Sequence, residues 1–480
     1  MGFSFNVLDA PWIPVVCLDG SNELLGIRET LKRAPELREI SVASPLEEYS
    51  LYRFLSVFLM DALRPEDLET IQELLEEGAF PADRIEEYIS LCKREGVSFD
   101  LFDENRPFLQ MPYVKEWDRD PKPISSIDCF QPSGNNHVHF EHEMPEKKTV
   151  SVDKAARLLL TIQQFCTAGA QGYPSGVNAS PPYFGVIKGE SLFETLVYNL
   201  LPIQGITIPF DDPPVIWRAT EAVESKKEVW STSWLRGMIF PARRVRLIPP
   251  CEGQELSEIY LSQGENFKNK EIWTDPFVTY RLLDTGRVPL RPKEEKPVWR
   301  SLYEIIDVNG NRASQVLSQY TKMTDNPYAK ITFYGVETNQ ASYLHLMRHE
   351  IQFHRIITEK TDIINFIAEA VKVAEILCGK LRHCLCDGAT VPENVAVWAT
   401  SRFFGLCEEN FWKLCEDCVE ADDVKVLYAQ WCRDVGDFAM TAYSEAIERV
   451  RLRGKAMGIA AQQREKLKKE IYKMREGVEF

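Results

Sequence analysis

Histidines supply the side chains in this sequence that are best suited to bind a metal ion. One cluster has three histidines within six residues: His137, His139 and His142. In a second cluster, His345 and His349 lie four residues apart, which is about one turn of a helix. A catalytic zinc site of the H-E-x-x-H type needs glutamate directly after the first histidine, where this sequence has Leu346. A metal-dependent nuclease or hydrolase is therefore an open alternative, although histidines at this spacing more often lie at a surface or an interface.

Cysteine pairs are the second group with metal-binding spacing. Cys384 and Cys386 form a C-x-C, and Cys415 and Cys418 form a C-x-x-C. A structural zinc ion would need both pairs to meet, whereas a reduced cysteine in a helical pattern usually packs as a small buried hydrophobe. We therefore predict buried thiols. The sequence has no Walker A motif, dinucleotide-binding glycine pattern or G-x-S-x-G motif, so we predict no catalytic residue, no cofactor and no bound metal.

A loop rich in Gly, Pro and Ser follows residue 167 and has a composition suited to contacts through the main chain. Its first part is Gly169, Ala170, Gln171 and Gly172. The loop lacks the Lys-Ser/Thr step of a phosphate-binding loop. Glycines still allow backbone N–H and C=O groups to come close to a partner. A flexible surface loop is the alternative interpretation.

Amide side chains at a turn form the last candidate site. A strand-like segment over residues 331–335 leads to a turn with Asn339, Gln340 and Ala341, and the pattern predicts that a helix starts at Ser342. Asn and Gln carry both donors and acceptors, so they can contact base edges without a fixed charge. An ordinary helix N-terminus with an asparagine cap would also explain this turn.

Charge is distributed unevenly along the 480 residues. The chain carries a net charge of −16, which argues against a general nucleic-acid coat protein. Between Arg449 and Arg475, however, ten Lys or Arg stand against two Glu, a local net charge of +8. This asymmetry indicates an acidic body with one basic surface for a polyanion, or else a solvated helix face.

Hydrophobic periodicity predicts the elements that position these residues. Helices are expected over residues 46–63 and 151–166, and a basic strand over 242–247. After residue 354, four helical patterns follow, over residues 361–386, 392–415, 422–453 and 455–474. We therefore predict an α+β fold with a large mixed α/β domain over 1–355 and a four-helix bundle over 356–480. The sequence has no apolar stretch long enough to span a bilayer and no secretory signal, so a cytoplasmic protein is expected.

Several segments resemble the CasA family, the large subunit of the type I-E CRISPR surveillance complex (Cascade). The resemblance is carried by FNVLDAPWIPV at 5–15, NGNRA at 309–313, NQAS at 339–342 and RHE at 348–350. The four-helix C-terminal region completes the order, so nearly the whole chain is covered.

The resemblance implies a DNA-binding subunit and not an enzyme. Family members test duplex DNA for the short motif that flanks a target (PAM), help to unwind the duplex, and provide a platform for the helicase–nuclease that degrades it. Guide pairing reads the target sequence, while the protein reads the flanking motif. The implied partners are guide RNA, the other Cascade subunits, double-stranded target DNA and the helicase–nuclease effector, with no membrane.

The resemblance also implies roles for particular residues. The turn residues Asn339, Gln340 and Ala341 match the wedge that enters the minor groove and separates the first base pairs. The loop Gly169, Ala170, Gln171 and Gly172 matches the glycine loop that contacts the flanking motif. A lysine on a β-hairpin reaches the same groove, and the candidates are Lys268 and Lys270.

Two further sets follow from the same resemblance. The first is a loop that docks on the guide RNA or a neighbouring subunit, with Phe140 as a stacking residue: Asn136, His137, Val138, His139 and Phe140. The second contacts the DNA backbone from the start of the basic C-terminal helix: Arg449, Arg451, Arg453 and Lys455. Phosphate contacts of this kind make binding depend strongly on salt.

Overall fold

The computed structural model describes residues 3–112, 121–129, 148–168, 172–250, 255–284, 286–339, 342–386, 391–421 and 424–476. The helices are α1 (Ile27–Lys32), α2 (Pro45–Leu63), α3 (Leu68–Glu77), α4 (Ala82–Arg94), α5 (Val152–Phe165), α6 (Leu192–Tyr198), α7 (Trp234–Met238), α8 (Leu302–Ile306), α9 (Gln315–Met323), α10 (Ile356–Glu359), α11 (Thr361–Cys386), α12 (Glu393–Glu420), α13 (Val424–Val450) and α14 (Lys455–Glu476). The strands are β1 (Ile13–Cys17), β2 (Asn22–Leu25), β3 (Leu37–Ile40), β4 (Lys122–Pro123), β5 (Phe184–Ile187), β6 (Glu228–Val229), β7 (Arg243–Leu247), β8 (Glu258–Gln263), β9 (Asn266–Phe267), β10 (Tyr280–Leu283), β11 (Gly286–Pro289), β12 (Tyr328–Asn339) and β13 (Ser342–His354). The predicted α+β fold, mixed elements followed by four long helices, is confirmed.

The chain forms two compact units. The first is made of Met1–Glu294, Ser314–Asp325 and Lys330–Ile351. The second is made of Glu295–Ala313, Asn326–Ala329 and Gln352–Phe480, so it includes two short stretches that precede the helical region in the sequence. In the part of the chain that the structure describes, no helix is long and apolar enough to cross a membrane.

Helix α2 is the central helix of the first unit, and nearly all of its residues are buried. The helix predicted over 46–63 is thus confirmed. Ser44 caps its N-terminus by accepting a hydrogen bond from the Glu47 N–H, and Pro45 occupies the first turn, where a missing N–H costs nothing. Arg64 ends the helix in a left-handed conformation (φ 47°). A helix buried on all sides must pair every charged side chain that it carries.

A three-stranded antiparallel sheet in the first unit has the order β13–β12–β5, so β12 is the central strand. The register of β12 with β5 runs from Ile331 opposite Ile187 to Tyr334 opposite Phe184. Strand β12 continues for five residues beyond this pairing, to Asn339. Strands β12 and β13, with the two residues between them (340–341, outside the described residues), are called the wedge hairpin below.

The helix predicted to start at Ser342 is wrong, because this segment is strand β13. Its burial alternates, as expected of a strand. The buried positions are Met347, Ile351 and Phe353, and the exposed ones between and beside them are Arg348, Glu350 and Gln352. Residues four apart share a face in a helix and also in a strand, so the spacing of His345 and His349 does not distinguish the two structures.

A second sheet has the order β4–β8–β7. Strand β7 confirms the predicted basic strand, and it pairs with β8 from Arg243 opposite Gln263 to Leu247 opposite Ile259. Strand β9, which follows β8, pairs in parallel with β6. Strands β10 and β11 form a separate antiparallel pair.

The second unit contains the four-helix bundle. Helices α11, α12 and α13 pack on one another, and α14 packs on α11 and α13. The buried Trp431 indole on α13 donates a hydrogen bond to the Ala370 carbonyl on α11 (2.9 Å), and the Tyr443 hydroxyl donates to the Ala460 carbonyl on α14 (2.8 Å).

The predicted helix bounds are confirmed at residues 361, 386 and 455, and the largest differences are at the ends of the second and third helices. The second helix continues to Glu420 instead of residue 415, which brings the buried Cys418 into the bundle. The third ends at Val450 instead of residue 453, because Arg451 (φ 49°) and Gly454 (φ 56°) adopt left-handed conformations that stop a right-handed helix.

Candidate nucleic-acid interface

Part of the expected interface lies outside the described residues: Gly169, Ala170, Gln171, Gln340, Ala341 and the docking-loop residues Asn136, His137, Val138, His139 and Phe140. The described members are Gly172, Asn339, Lys268, Lys270, Arg449, Arg451, Arg453 and Lys455.

Asn339 is exposed at the last position of β12, beyond the part of the strand that pairs with β5. The end of the wedge hairpin is held from the side by the chain at Glu294. The Glu294 N–H donates a hydrogen bond to the Glu337 carboxylate (2.8 Å), and His345 Nε2 lies 2.9 Å from the Glu294 carboxylate. The described end of the hairpin is therefore solvent-facing but supported close to its tip.

Tyr343 joins the wedge hairpin to the segment that leads into the glycine loop. Its hydroxyl donates a hydrogen bond to the carbonyl of Phe165, the last residue of α5 (2.9 Å). Burial, with the nearby Cys129 and Cys166 thiols, raises the pKa of Tyr343 well above its ordinary value, so the hydroxyl stays a neutral donor. Tyr343 is one residue into β13, and Phe165 precedes Gly169 by four residues. One hydrogen bond thus joins the wedge hairpin to the helix that leads into the glycine loop.

Arg243 on β7 holds both sides of the glycine loop. Its guanidinium donates to the Thr167 carbonyl (2.7 Å) before the loop and to the Pro174 carbonyl (2.6 Å) after it. It also lies 4.8 Å from the centre of the Tyr173 ring. Only 6% of Arg243 is exposed, so these bonds form away from competing water. The buried arginine closes the loop over residues 168–173.

Gly172 is the described member of the predicted glycine loop. Its φ of +73° is a conformation that glycine adopts without strain. The following Tyr173 accepts a hydrogen bond from the Lys122 ammonium (3.1 Å) and donates one to the Leu261 carbonyl (3.4 Å). The end of the loop is therefore packed on the second sheet through an aromatic side chain.

Lys270 contacts the chain just after the glycine loop, whereas no bond among the described residues joins Lys268 to that segment. The Lys270 ammonium donates to the Ser175 hydroxyl and to the Gly176 carbonyl (3.3 Å). Partial burial lowers the pKa of Lys270. Lys268 instead forms an ion pair with Glu228 (2.9 Å).

The expectation that these lysines lie on a β-hairpin is wrong. Lys268 and Lys270 follow β9, which pairs in parallel with β6. A parallel pair requires a crossover connection, so it cannot be the tight antiparallel turn that was expected.

The four cations Arg449, Arg451, Arg453 and Lys455 span the turn between α13 and α14, called the basic turn below. The Arg449 guanidinium stacks on the Trp398 indole of α12, 3.6 Å from the ring centre. The other three are exposed, and within the described part of the chain no ion pair joins any of them to a carboxylate. Stacking fixes a guanidinium while leaving its edge available for hydrogen bonds.

Much of the positive charge farther along α14 is paired locally. Lys468 lies 2.7 Å from Glu465, Lys473 lies 3.2 Å from Glu470, and the Arg475 guanidinium lies 3.0 Å from Asp437 of α13. The basic turn is therefore better placed than the last turns of α14 to bind an external anion.

His345 and His349 do not form a metal site in the described structure, and the cluster of His137, His139 and His142 lies outside the described residues. His345 and His349 are four residues apart on strand β13 and not one turn apart on a helix, a separation of about 13 Å. His349 is half-buried with its ring edge-on to Tyr183, and burial lowers its pKa. Within the described residues, no three His, Cys, Asp or Glu side chains are grouped so that they could hold a metal ion.

The cysteines of the helical region behave as predicted. Cys384, Cys415 and Cys418 are buried, and Cys386 is half-buried. Burial raises the pKa of the Cys378 and Cys418 thiols to about 12, which keeps them protonated and unreactive at neutral pH.

The residues missed by sequence reasoning are Arg243 and Tyr343, which position the predicted elements. The partners of Arg243 lie 69 and 76 residues away and that of Tyr343 lies 178 residues away, so no local sequence pattern indicates these bonds. One available signal was the run of arginines on β7, because an arginine at a buried strand position needs several acceptors close to it.

Comparison with known proteins gives a match over most of the chain. Residues 6–442 match the model of the CRISPR-associated protein Cse1 family. The CRISPR-associated protein CasA/Cse1 of Thermus thermophilus is 30% identical over 402 residues, which cover 79% of this chain and 76% of that protein.

Solved structures share the fold. The crystal structure of Cse1 from Acidimicrobium ferrooxidans has a TM-score of 0.80 at 19% identity and covers 99% of both chains. A chain of a CRISPR RNA-guided surveillance complex has a TM-score of 0.78 at 19% identity and covers 97% of this chain and 99% of its own.

Proposed function

This chain belongs to the CRISPR-associated protein Cse1 (CasA) family, and we propose that it is the subunit of an RNA-guided antiviral complex that recognises the PAM in duplex DNA. In this role it helps to unwind the DNA beside the PAM and provides a platform for the helicase–nuclease. The observation that carries the proposal is the exposed Asn339 at the end of a supported hairpin. Tyr343, close to the tip of that hairpin, is bonded to the segment that leads into the glycine loop.

Strand separation is the task of the wedge hairpin in this proposal. Unstacking a base step costs a few kcal/mol, and a wedge can supply that energy only if it does not bend away. Strand β12 meets this requirement because it is the central strand of its sheet and is buried from Ile331 to Val336. The amides of Asn339 and Gln340 then replace hydrogen bonds of the separated base pair.

PAM recognition is assigned to the glycine loop, with Lys270 beside it. Arg243 holds the residues on both sides of the loop and Lys270 holds the chain just after it, so both ends of the loop are fixed. Edges of the minor groove are similar for A·T and T·A pairs, so we expect several related flanking motifs to be accepted. Lys268, paired with Glu228, is the weaker candidate for a groove contact.

Contacts to the DNA backbone and to the guide RNA complete the proposed role. The basic turn binds phosphates of the displaced or incoming DNA, and the docking loop around Phe140 binds the guide RNA or a neighbouring subunit. Specificity for the target itself comes from guide pairing. The subunit binds and opens DNA without cutting it.

A double substitution tests the wedge directly. Asn339→Ala with Gln340→Ala, in the complex assembled with guide RNA, should leave assembly unchanged and slow strand opening about tenfold, since alanine offers no amide to bond with the opened pair. Opening is followed by 2-aminopurine fluorescence at the first target base pair. Gln352→Ala, which removes an exposed amide elsewhere on β13, is the matched control. Normal opening by the double variant would show that the wedge assignment is wrong.

The alternative of a metal-dependent nuclease makes a different prediction. It requires a stoichiometric metal in the purified chain and cleavage of DNA without the helicase–nuclease. Elemental analysis and a cleavage assay on the purified chain separate the two functions.

A further inference from the structure

Two adjacent carboxylates lie buried in the first turn of α2. The side chains of Glu47 and Glu48 are 6% and 5% exposed. A buried carboxylate is costly unless charged or hydrogen-bonded partners satisfy its oxygens, and the N-terminus of a helix favours negative charge. The partners of each carboxylate therefore show which elements this turn holds in place.

Glu48 binds both strands of the wedge hairpin. The Tyr334 hydroxyl on β12 donates to one carboxylate oxygen, and Arg348 Nε on β13 donates to the other at 3.1 Å. Burial raises the pKa of Tyr334 well above its ordinary value, so this hydroxyl remains a donor. The hairpin cannot tilt away from α2 without breaking a bond to this one carboxylate.

Glu47 binds the helix that leads into the glycine loop. Its carboxylate accepts from Arg157 Nε of α5 at 2.7 Å. Arg157 also donates to the Trp12 carbonyl (2.9 Å) and to Asp153 (2.8 Å), so the guanidinium is held on several sides. Helix α5 ends three residues before the glycine loop begins. Consecutive residues of α2 thus hold the two candidate DNA-contacting elements.

A balanced set of charges surrounds Glu48. The Lys188 ammonium, which is nearly buried, donates to the Tyr52 hydroxyl (2.5 Å) and lies 3.5 Å from Glu39. Arg348 lies 4.0 Å from the same Glu39. Glu48 and Glu39 therefore face Lys188 and Arg348. Neutralising Glu48 removes a negative charge beside the buried Lys188 ammonium, where water compensates poorly for the excess positive charge.

We propose that Glu47 and Glu48 fix the spacing between the glycine loop and the wedge hairpin, and that Glu48 is a positioning residue for strand opening. This inference rests on the proposed function. Base pairs are stacked about 3.4 Å apart. When the glycine loop reads the flanking motif, the wedge hairpin enters at the correct base step only if its distance from that loop is fixed to within a fraction of about 3.4 Å. Rigid attachment of both elements to one helical turn provides that precision.

Glu48→Gln in the assembled complex tests the inference. Glutamine keeps the shape of the side chain and loses the charge-assisted bond to Arg348, which predicts opening about tenfold slower on a fully paired target. A target whose first base pairs are already mismatched needs no wedge, so this bubble should restore the normal rate of R-loop formation. Tyr334→Phe removes the second bond without changing a charge and should give a smaller defect that the same bubble corrects.

Asp61→Asn is the matched control. Asp61 lies at the other end of α2, is equally buried, and pairs with Arg218 (2.9 Å) instead of the wedge hairpin. If the slow opening by Glu48→Gln came from a general loss of stability, Asp61→Asn would open the paired target slowly as well, and the mismatched target would rescue neither variant. That result, or normal opening by Glu48→Gln, would overturn the inference.

The wedge variant separates this inference from the function on which it rests. If Asn339→Ala with Gln340→Ala opens the paired target normally, the proposed function fails. If that variant is slow while Glu48→Gln is normal, the wedge stands and only the positioning role of Glu48 is wrong.

Discussion

Arg243→Lys tests whether the glycine loop depends on a clamp inside the fold. The arginine donates to two carbonyls on opposite sides of the loop, at Thr167 and Pro174. Lysine keeps the positive charge, but its single nitrogen cannot reach both acceptors in the fork geometry of a guanidinium. The substitution therefore opens one side of the loop and leaves its sequence intact.

The expected cost follows from the missing hydrogen bond. A hydrogen bond from a charged donor contributes about 1.5–3 kcal/mol, and a buried carbonyl left without a partner costs a similar amount. We expect the free energy of unfolding to fall by about 2 kcal/mol, because Arg243 is only 6% exposed and water does not readily replace the missing donor. Binding should change selectively: affinity for duplex with the correct flanking motif falls, while affinity for duplex without it stays the same.

Urea unfolding of the purified chain and duplex-binding titrations of the assembled complex measure these two effects. Arg246→Lys is the matched control, since Arg246 is on the same strand and its guanidinium contacts the Met111 carbonyl at 3.5 Å instead of the loop. If Arg243→Lys prefers duplex with the correct flanking motif as strongly as Arg246→Lys does, the Arg243 clamp does not position the glycine loop.

Three further outcomes are expected. Replacing the exposed Arg451, Arg453 and Lys455 of the basic turn by alanine should reduce the slope of log K against log salt by about 0.9 for each phosphate that is no longer neutralised, and an unchanged slope would remove the turn from the DNA path. Lys270→Met should weaken discrimination between flanking motifs in competition binding, because its ammonium holds the Gly176 carbonyl just after the glycine loop; equal discrimination would contradict this. Burial lowers the pKa of His349 below its ordinary 6.5, so the unfolded chain binds the proton more readily than the folded chain, and stability falls as the pH drops below about 6.5. His349→Gln should flatten the acid side of a profile of thermal stability against pH, and an unaltered profile would exclude the histidine as the source of that slope.

Sequence periodicity was sufficient for the long helices and insufficient for the wedge hairpin. Helices α11 to α14 were predictable because 22 to 28 residues of one pattern outweigh local ambiguity, and turn residues separate them. Strand β13 was mistaken for a helix because an asparagine at a turn is typical of a helix N-terminus, and because the four-residue spacing of His345 and His349 fits both structures. The hydrogen bonds that make this segment a strand are formed with β12. The spacing of residues within the segment does not reveal that partner.

Residues of the candidate site were predictable from the sequence, but the side chains that hold them in place were not. Asn339 and Gly172 were identified from residue type and resemblance. The side chains that hold these elements are Arg243, Tyr343 and Glu48, whose bonds to those elements span 69 to 300 residues. Contacts of that range depend on the packing of the whole first unit, which neither composition nor local spacing specifies.

Site-specific cross-linking from the hairpin end tests the central claim most directly. A photoreactive amino acid at position 339, in the complex bound to duplex with a matching target and flanking motif, should attach to the base pairs at the junction of motif and target. The same group at Gln352, an exposed position farther along β13, should not reach them. Strong cross-linking at the junction from position 339 is the expected result. A complex that binds and opens its target while position 339 cross-links only to protein would contradict the account.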